Sequence, residues 1–310
     1  MNRDLKIDGL KSLMIFLVVL GHIHGYNDYG LNVTRIIFSF HMPVFVFISG
    51  FLTPLHPSKE KKMAWLKHTF FIYLFAQIAH VVLGCILGID LSWRMIICPE
   101  YALWYLLCLI YWRISVWTIF ENKNDIFLLG CSVFLALLSC FVPLDSEFSF
   151  QRAFAFYPFF ILGFVFKKRD LFSRIEKVHV GYAVAVLIIG LIVVYYLPWQ
   201  AYMPRNHCVS RMNFFVRFVQ SFLALCLCLS IIRLSRTRIF EKLAFGGQYT
   251  LWIYIGHTYL IRIFDNYFSI KLDLIGAIIM ALLICFGIGL IAYGYMRVRN
   301  SQRKEPLTKQ

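Results

Sequence analysis

The sequence predicts an all-α, polytopic integral membrane protein: a bundle of about ten transmembrane helices with both termini in the cytoplasm. Three observations carry this. Sixty per cent of the 310 residues are hydrophobic and only 15% are charged, with a mean hydropathy of +0.70, more apolar surface than a water-soluble domain of this length can hide. Apolar stretches long enough to cross about 30 Å of hydrocarbon, roughly 20 residues each as helix, recur along the whole chain and leave no gap for a soluble domain. The basic residues then alternate in density from one connection to the next.

The expected helices cover residues 8–26, 34–53, 69–90, 102–120, 126–143, 153–166, 179–198, 213–232, 246–265 and 273–296. With the N-terminus inside, the inner connections collect 21 Lys and Arg, among them the runs 59–67, 167–177 and 297–309, and the outer ones only six. That asymmetry obeys the positive-inside rule loop after loop. The organisation expected is one membrane domain over 1–300 followed by a short basic cytoplasmic tail, 301–310. No cleavable signal is read, because the first apolar run carries Asp8, Lys11 and His22, lacks a small-residue cleavage site and leads straight into the next span.

The charge also excludes a class. A net +15 can mark a nucleic-acid binder, but here the cations are scattered over short juxtamembrane pieces where anionic membrane lipid is the ready partner. The nine cysteines show no paired spacing for metal or redox chemistry, so no metal is expected. Cys98 and Cys208 fall in outer connections and could pair; the packing reading is preferred.

Ionisable side chains inside a span cost about 2.5–3.5 kcal/mol each on insertion scales, so each is a functional hypothesis. At a helical rise of 1.5 Å per residue, His22 lies about 21 Å above Asp8, in the outer third of the first span. His41 falls about 9 Å below the outer surface on the second, and His257 about 17 Å up the ninth, just past the midplane. One such histidine serves equally well as a hydrogen-bond partner for backbone or serine. Three at matched depth suit general-base chemistry or a proton relay. His24, near the interface, and His80, in packing, have weaker claims. Arg152 and Arg217 sit near outer helix ends, and Glu100 stands just before Trp104 at another. Pro43, two residues beyond His41, is tolerable early in a helix and deeper frees a carbonyl; Ser49 and Gly50 allow close helix approach.

Several runs share a pattern. "RDLKIDGLKSLMIFLVVLGHIHG" at 3–25, "FHMPVFVFISGF" at 40–51, "LWYLLCLIYW" at 103–112, "RAFAFYPFFILGFVFKK" at 152–168 and "FGGQYTLWIYIGHTYLI" at 245–261 resemble, in order and from end to end, the signature segments of the acyltransferase 3 family of membrane-bound O-acyltransferases. The likeness is nearest to its short branch of fucose-4-O-acetylase-like enzymes acting on surface polysaccharides. The resemblance implies transfer of an acetyl (acyl) group from cytoplasmic acetyl-CoA to a sugar hydroxyl of a surface polysaccharide or lipid-linked saccharide, at the outer side of the bacterial inner membrane. It implies His22 as the essential imidazole, Asp8 as the inner-edge carboxylate, and His41 and His257 lining the same cavity; Glu100, Trp104 and Arg152 at outer helix ends, with His257, are the residues expected to bind substrate. Where relatives carry an Arg-x-x-Arg pair thought to hold the coenzyme, this chain reads "KMAWLKHTFFIY" at 62–73. Lys67 and His68, with Lys61 and Lys62 nearby, would have to substitute, and lysine lacks the planar fork of arginine. A proton-coupled transporter or exporter is the alternative from another class, disfavoured by the lack of an internal repeat. The acceptor sugar and the oligomeric state are not legible.

Overall fold

The computed structural model describes residues 3–23, 28–90, 92–120, 123–141, 147–197, 211–268 and 272–302. Among them there is no strand. Among the described residues ten helices of eleven residues or more overlap the expected segments: α1 Leu5–His22, α2 Asp28–Leu52, α3 Lys59–Ile86, α4 Trp104–Ile114, α5 Asp125–Leu138, α6 Phe150–Lys168, α7 Val180–Tyr196, α8 Arg211–Ser235, α9 Thr250–Phe268 and α10 Leu274–Gln302. Five of the segments are long and apolar enough to cross a membrane by length and composition: Val33–Leu52, Lys59–Ile86, Glu147–Lys168, Asn213–Ser235 and Leu274–Arg299. Cys208, weighed as a partner for Cys98, His24, and most of the 301–310 tail lie outside the described residues.

The helices start where the side chains can cap them. Asp4 accepts from the backbone N–H groups of Lys6 and Ile7 at 3.0 and 3.2 Å, Ser58 from Lys61 at 3.4 Å, and Asn124 from Ile126 at 2.8 Å, satisfying donors that a helix leaves open at its first turn. These caps explain a difference from the hydropathy reading. α3 begins at Lys59 rather than 69, because Ser58 starts a helix whose first turns are Lys-rich, and hydropathy reports where lipid begins, not where hydrogen bonding does. α2 likewise starts at Asp28, so Pro43 is an interior proline, as Pro158 is in α6.

The chain forms two compact units: Met1–Leu31 with Arg238–Gln310, and Asn32–Thr237. The first holds α1, α9 and α10, joined through a short helical turn, Ile239–Lys242, and a 3₁₀ segment, Ala244–Gln248. The second holds α3 to α8 and the body of α2. Its core is aromatic, with Phe47, Trp112 and Phe160 fully buried, and α2 crosses α6 at two glycines. A side chain on Gly50 would strike the Phe160 carbonyl, and one on Gly163 the Phe47 carbonyl. Backbone thus lies on backbone, the close approach that Ser49–Gly50 suggested. The α4–α6 seam is pinned by the Trp112 indole donating to the Ala153 carbonyl at 2.7 Å and by a 2.6 Å bond between the Ser115 and Tyr157 hydroxyls. Gly163→Ala should therefore force the crossing apart at a cost of about 1–3 kcal/mol. Thermal unfolding in detergent should show a Tm several degrees lower; an unchanged Tm contradicts the backbone contact.

Candidate active site

In the first unit two helices rise side by side from one clamp. At its base, Gly9 lies against the Phe240 carbonyl and Gly247 against the backbone of Asp8, so closely that a Cβ on either would collide with main chain. Asp8, buried, accepts from Arg3 Nε and from Lys11 Nζ at 2.9 Å. Arg3 reaches onward to Gln248 Oε1 at 3.2 Å and to the Ala244 carbonyl at 3.4 Å, tying the 3₁₀ segment to the start of α1. The Thr250 hydroxyl donates to the Gly247 carbonyl at 2.7 Å, where α9 begins.

Contact at the base and again higher up makes α1 and α9 parallel. About 21 Å along α1, the His22 ring meets that of His257 with centroids 5.3 Å apart and planes at 52°. His257 is fully buried; its ring lies 6.1 Å from Tyr254, and its Nδ1 is 2.9 Å from the Ile253 carbonyl. A carbonyl only accepts, so Nδ1 carries the proton, and in the uncharged ring Nε2 holds the lone pair. The structure thus brings His22 and His257 together and keeps Asp8 at the far end of α1, as an electrostatic anchor rather than a neighbour of the imidazoles.

The second unit repeats the device. His41 is buried with Nδ1 2.7 Å from the Ile37 carbonyl, and its ring stands 5.1 Å from Phe38. Phe38 and Pro43 in turn line a partly open apolar cavity of about 280 Å³, together with Phe156, Pro158, Arg217 and Phe222 among others. Of the residues expected on the acceptor side, Arg152 lies 5.1 Å over the Trp104 ring, which also stacks on Phe156 at 5.4 Å. Glu100 donates its backbone N–H to Gln77 Oε1 at 3.0 Å. His80 is buried and stacks on Tyr101 at 5.3 Å, a packing role.

On α3, Lys61, Lys67 and His68 are exposed and only Lys62 is half-buried, donating to the Trp117 carbonyl at 2.9 Å. A residue that sequence reasoning missed stands there. Arg113, at the end of α4, lies 4.0 Å over the Trp65 ring. Only its position, two turns below the Trp104 segment and among tryptophans, could have flagged it.

These helices and motifs can be set against known proteins. Residues 4–294 match the model of the Acyltransferase domain family, acyltransferase 3. The chain belongs to this family. A 58-residue stretch is also 40% identical to Nodulation protein NolL of Sinorhizobium fredii, over 16% of this chain and 16% of that protein. The chain thus spans about a sixth of that relative's length. No solved structure matches significantly. Family membership and the apolar helices together make the protein a membrane-embedded, multi-pass acyltransferase.

The clamp of this acyltransferase makes a prediction. Asp8→Asn leaves Arg3 and Lys11 without their carboxylate; with Arg3 half exposed, the loss should be about 2 kcal/mol. It should appear as a lower Tm, with α1 and the 244–248 segment exchanging amide hydrogens faster. Unaltered exchange there contradicts the anchoring role.

Proposed function

We propose that the protein transfers an acetyl group from cytoplasmic acetyl-CoA to a hydroxyl of a surface polysaccharide or lipid-linked saccharide at the outer side of the bacterial inner membrane. In this reading the chain crosses the bilayer ten times with both termini inside, supported by the asymmetry of 21 inner against six outer cations. The observation that carries the reading is the His22–His257 ring pair on parallel helices of the first unit.

His22 acts as general base. A sugar hydroxyl is a poor nucleophile; as its oxygen attacks the thioester carbonyl, its proton passes to the imidazole. The tetrahedral intermediate collapses with cleavage of the carbon–sulfur bond. The departing thiolate takes the proton back from the imidazolium, leaving an acetyl ester and free coenzyme thiol. His257, its own proton held on the Ile253 carbonyl, fixes the position of the His22 ring. On the acceptor side, Trp104 with Arg152 and Glu100 offers an aromatic face and charges suited to a saccharide; a wet pocket and no metal are needed.

The charged end of coenzyme A cannot enter hydrocarbon, so its phosphates stay at the cationic inner ends of helices. Lys62 is the side chain among Lys61, Lys62, Lys67 and His68 whose half-buried setting supports such a role.

The test is acetyl transfer by purified protein in proteoliposomes with acetyl-CoA and a lipid-linked saccharide, following free thiol and the acetyl ester. His22→Ala should lower the rate by about 10²–10⁴-fold, the span that general-base catalysis supplies. Saccharide movement across the bilayer with no thiol released would favour an exporter instead.

A further inference from the structure

The second unit contains a half-buried guanidinium that makes no hydrogen bond to a described residue. The Nε of Arg113 is buried without a partner, and its guanidinium meets no acceptor and no carboxylate among the described residues. Two indoles hold it. It lies 4.0 Å over Trp65 and 5.6 Å from Trp117, and the two rings meet edge to face at 5.6 Å and 89°. Trp117 belongs to a π-helical turn, Ser115–Ile119, that continues α4, an irregularity common at functional positions.

Two ammonium groups are wired to the same place through backbone. Lys62 donates to the Trp117 carbonyl at 2.9 Å, the Trp117 indole donates to the Pro54 carbonyl at 3.0 Å, and Lys167 donates to the adjacent Thr53 carbonyl at 3.0 Å. Neighbouring cations are neutralised locally: Asp125 pairs with Lys168 at 2.7 Å and with Arg169, and Glu176 with Arg236 at 2.7 Å. No such carboxylate serves Arg113 or Lys167 among the described residues.

A guanidinium partly withdrawn from water favours an anion as partner, and aromatic faces offset only part of that need. Arg113 presents a planar fork of the geometry that grips phosphate, beside indole faces on which a flat heterocycle can stack. We propose that Arg113, braced by Trp65 and Trp117 and accompanied by Lys62 and Lys167, is the seat for a phosphorylated nucleotide, the charged end of the acyl donor. The assignment rests on acetyl-CoA being that donor and replaces the exposed Lys61, Lys67 and His68 as the principal phosphate contacts. The same chemistry would also hold an anionic lipid headgroup, so the test separates the two.

The full chain in phosphatidylcholine nanodiscs is titrated with coenzyme A and with S-acetylpantetheine, which has the thioester arm but no nucleotide, following tryptophan fluorescence. Wild type should bind coenzyme A at least about tenfold more tightly than S-acetylpantetheine, a preference that charge-assisted bonds readily supply. Arg113→Gln should abolish most of that preference while S-acetylpantetheine binding, which also reports folding, persists. Lys167→Gln, a milder change, should lower the preference in the same direction. If Arg113→Gln keeps the preference and Lys61→Gln with Lys67→Gln removes it, the assignment to Arg113 is wrong while acetyl transfer stands. If the variant changes only affinity for phosphatidylglycerol vesicles, the site takes lipid and the nucleotide assignment falls. Failure of wild type to bind coenzyme A at all overturns the donor reading as well.

Discussion

Hydrocarbon offers no hydrogen bonds, so a polar side chain that a membrane helix carries inward must find its partner within the protein, most often on its own backbone. The chain solves this with one repeated device, a side-chain donor turned back onto a carbonyl three or four residues earlier. Ser39 bonds Ile36, Ser49 bonds Phe45, Thr53 bonds Ser49, Ser132 bonds Leu129 and Ser230 bonds Cys226, all at 2.7–3.0 Å. For a hydroxyl the result is only solvation. For His41 and His257 it has chemical content, because the carbonyl fixes which ring nitrogen holds the proton. A solvation rule thereby sets the tautomer of two buried imidazoles.

The charges obey the same constraint differently. The carboxylates that anchor structure sit at helix beginnings, where water and basic partners reach them: Asp8 with Arg3 and Lys11, Asp125 with Lys168 and Arg169. The first of these clamps aligns α1 with α9 and so sets the height at which two imidazoles meet. Arg113 breaks the pattern, being a half-buried cation that among the described residues meets two indoles and no carboxylate, and departures from a local rule of this kind are where function is to be sought.

Much of this was legible in the sequence, and the rest was hidden for definite reasons. Helix existence followed from apolar length, but the start of α3 was misplaced because a Lys-rich turn outside lipid is still helical once Ser58 caps it. Depth counting gave His22 and His257 similar heights, since helical rise turns sequence distance into height, but that their rings meet depends on how α1 packs on α9. Asp8, expected as the inner-edge carboxylate, is held in the clamp: its two basic partners lie within five residues, but the collision distance between Gly247 and its backbone depends on a contact across more than two hundred residues. Arg113 carried only the faint signal of its place among tryptophans, because its partner Trp65 is on another helix and an arginine near a helix end reads as one more interfacial cation.

For His22 to act as the proposed base, the imidazole that positions it must be locked by its own helix, with the His257 proton on Nδ1 and the lone pair on Nε2. Nitrogen-15 NMR of histidine-labelled protein in bilayers, assigned by single His→Gln variants, tests it most directly. The account requires His257 and His41 to be protonated at Nδ1, with the unprotonated nitrogen at Nε2 in the resting uncharged rings. Finding the proton on Nε2 and the lone pair on Nδ1 contradicts it.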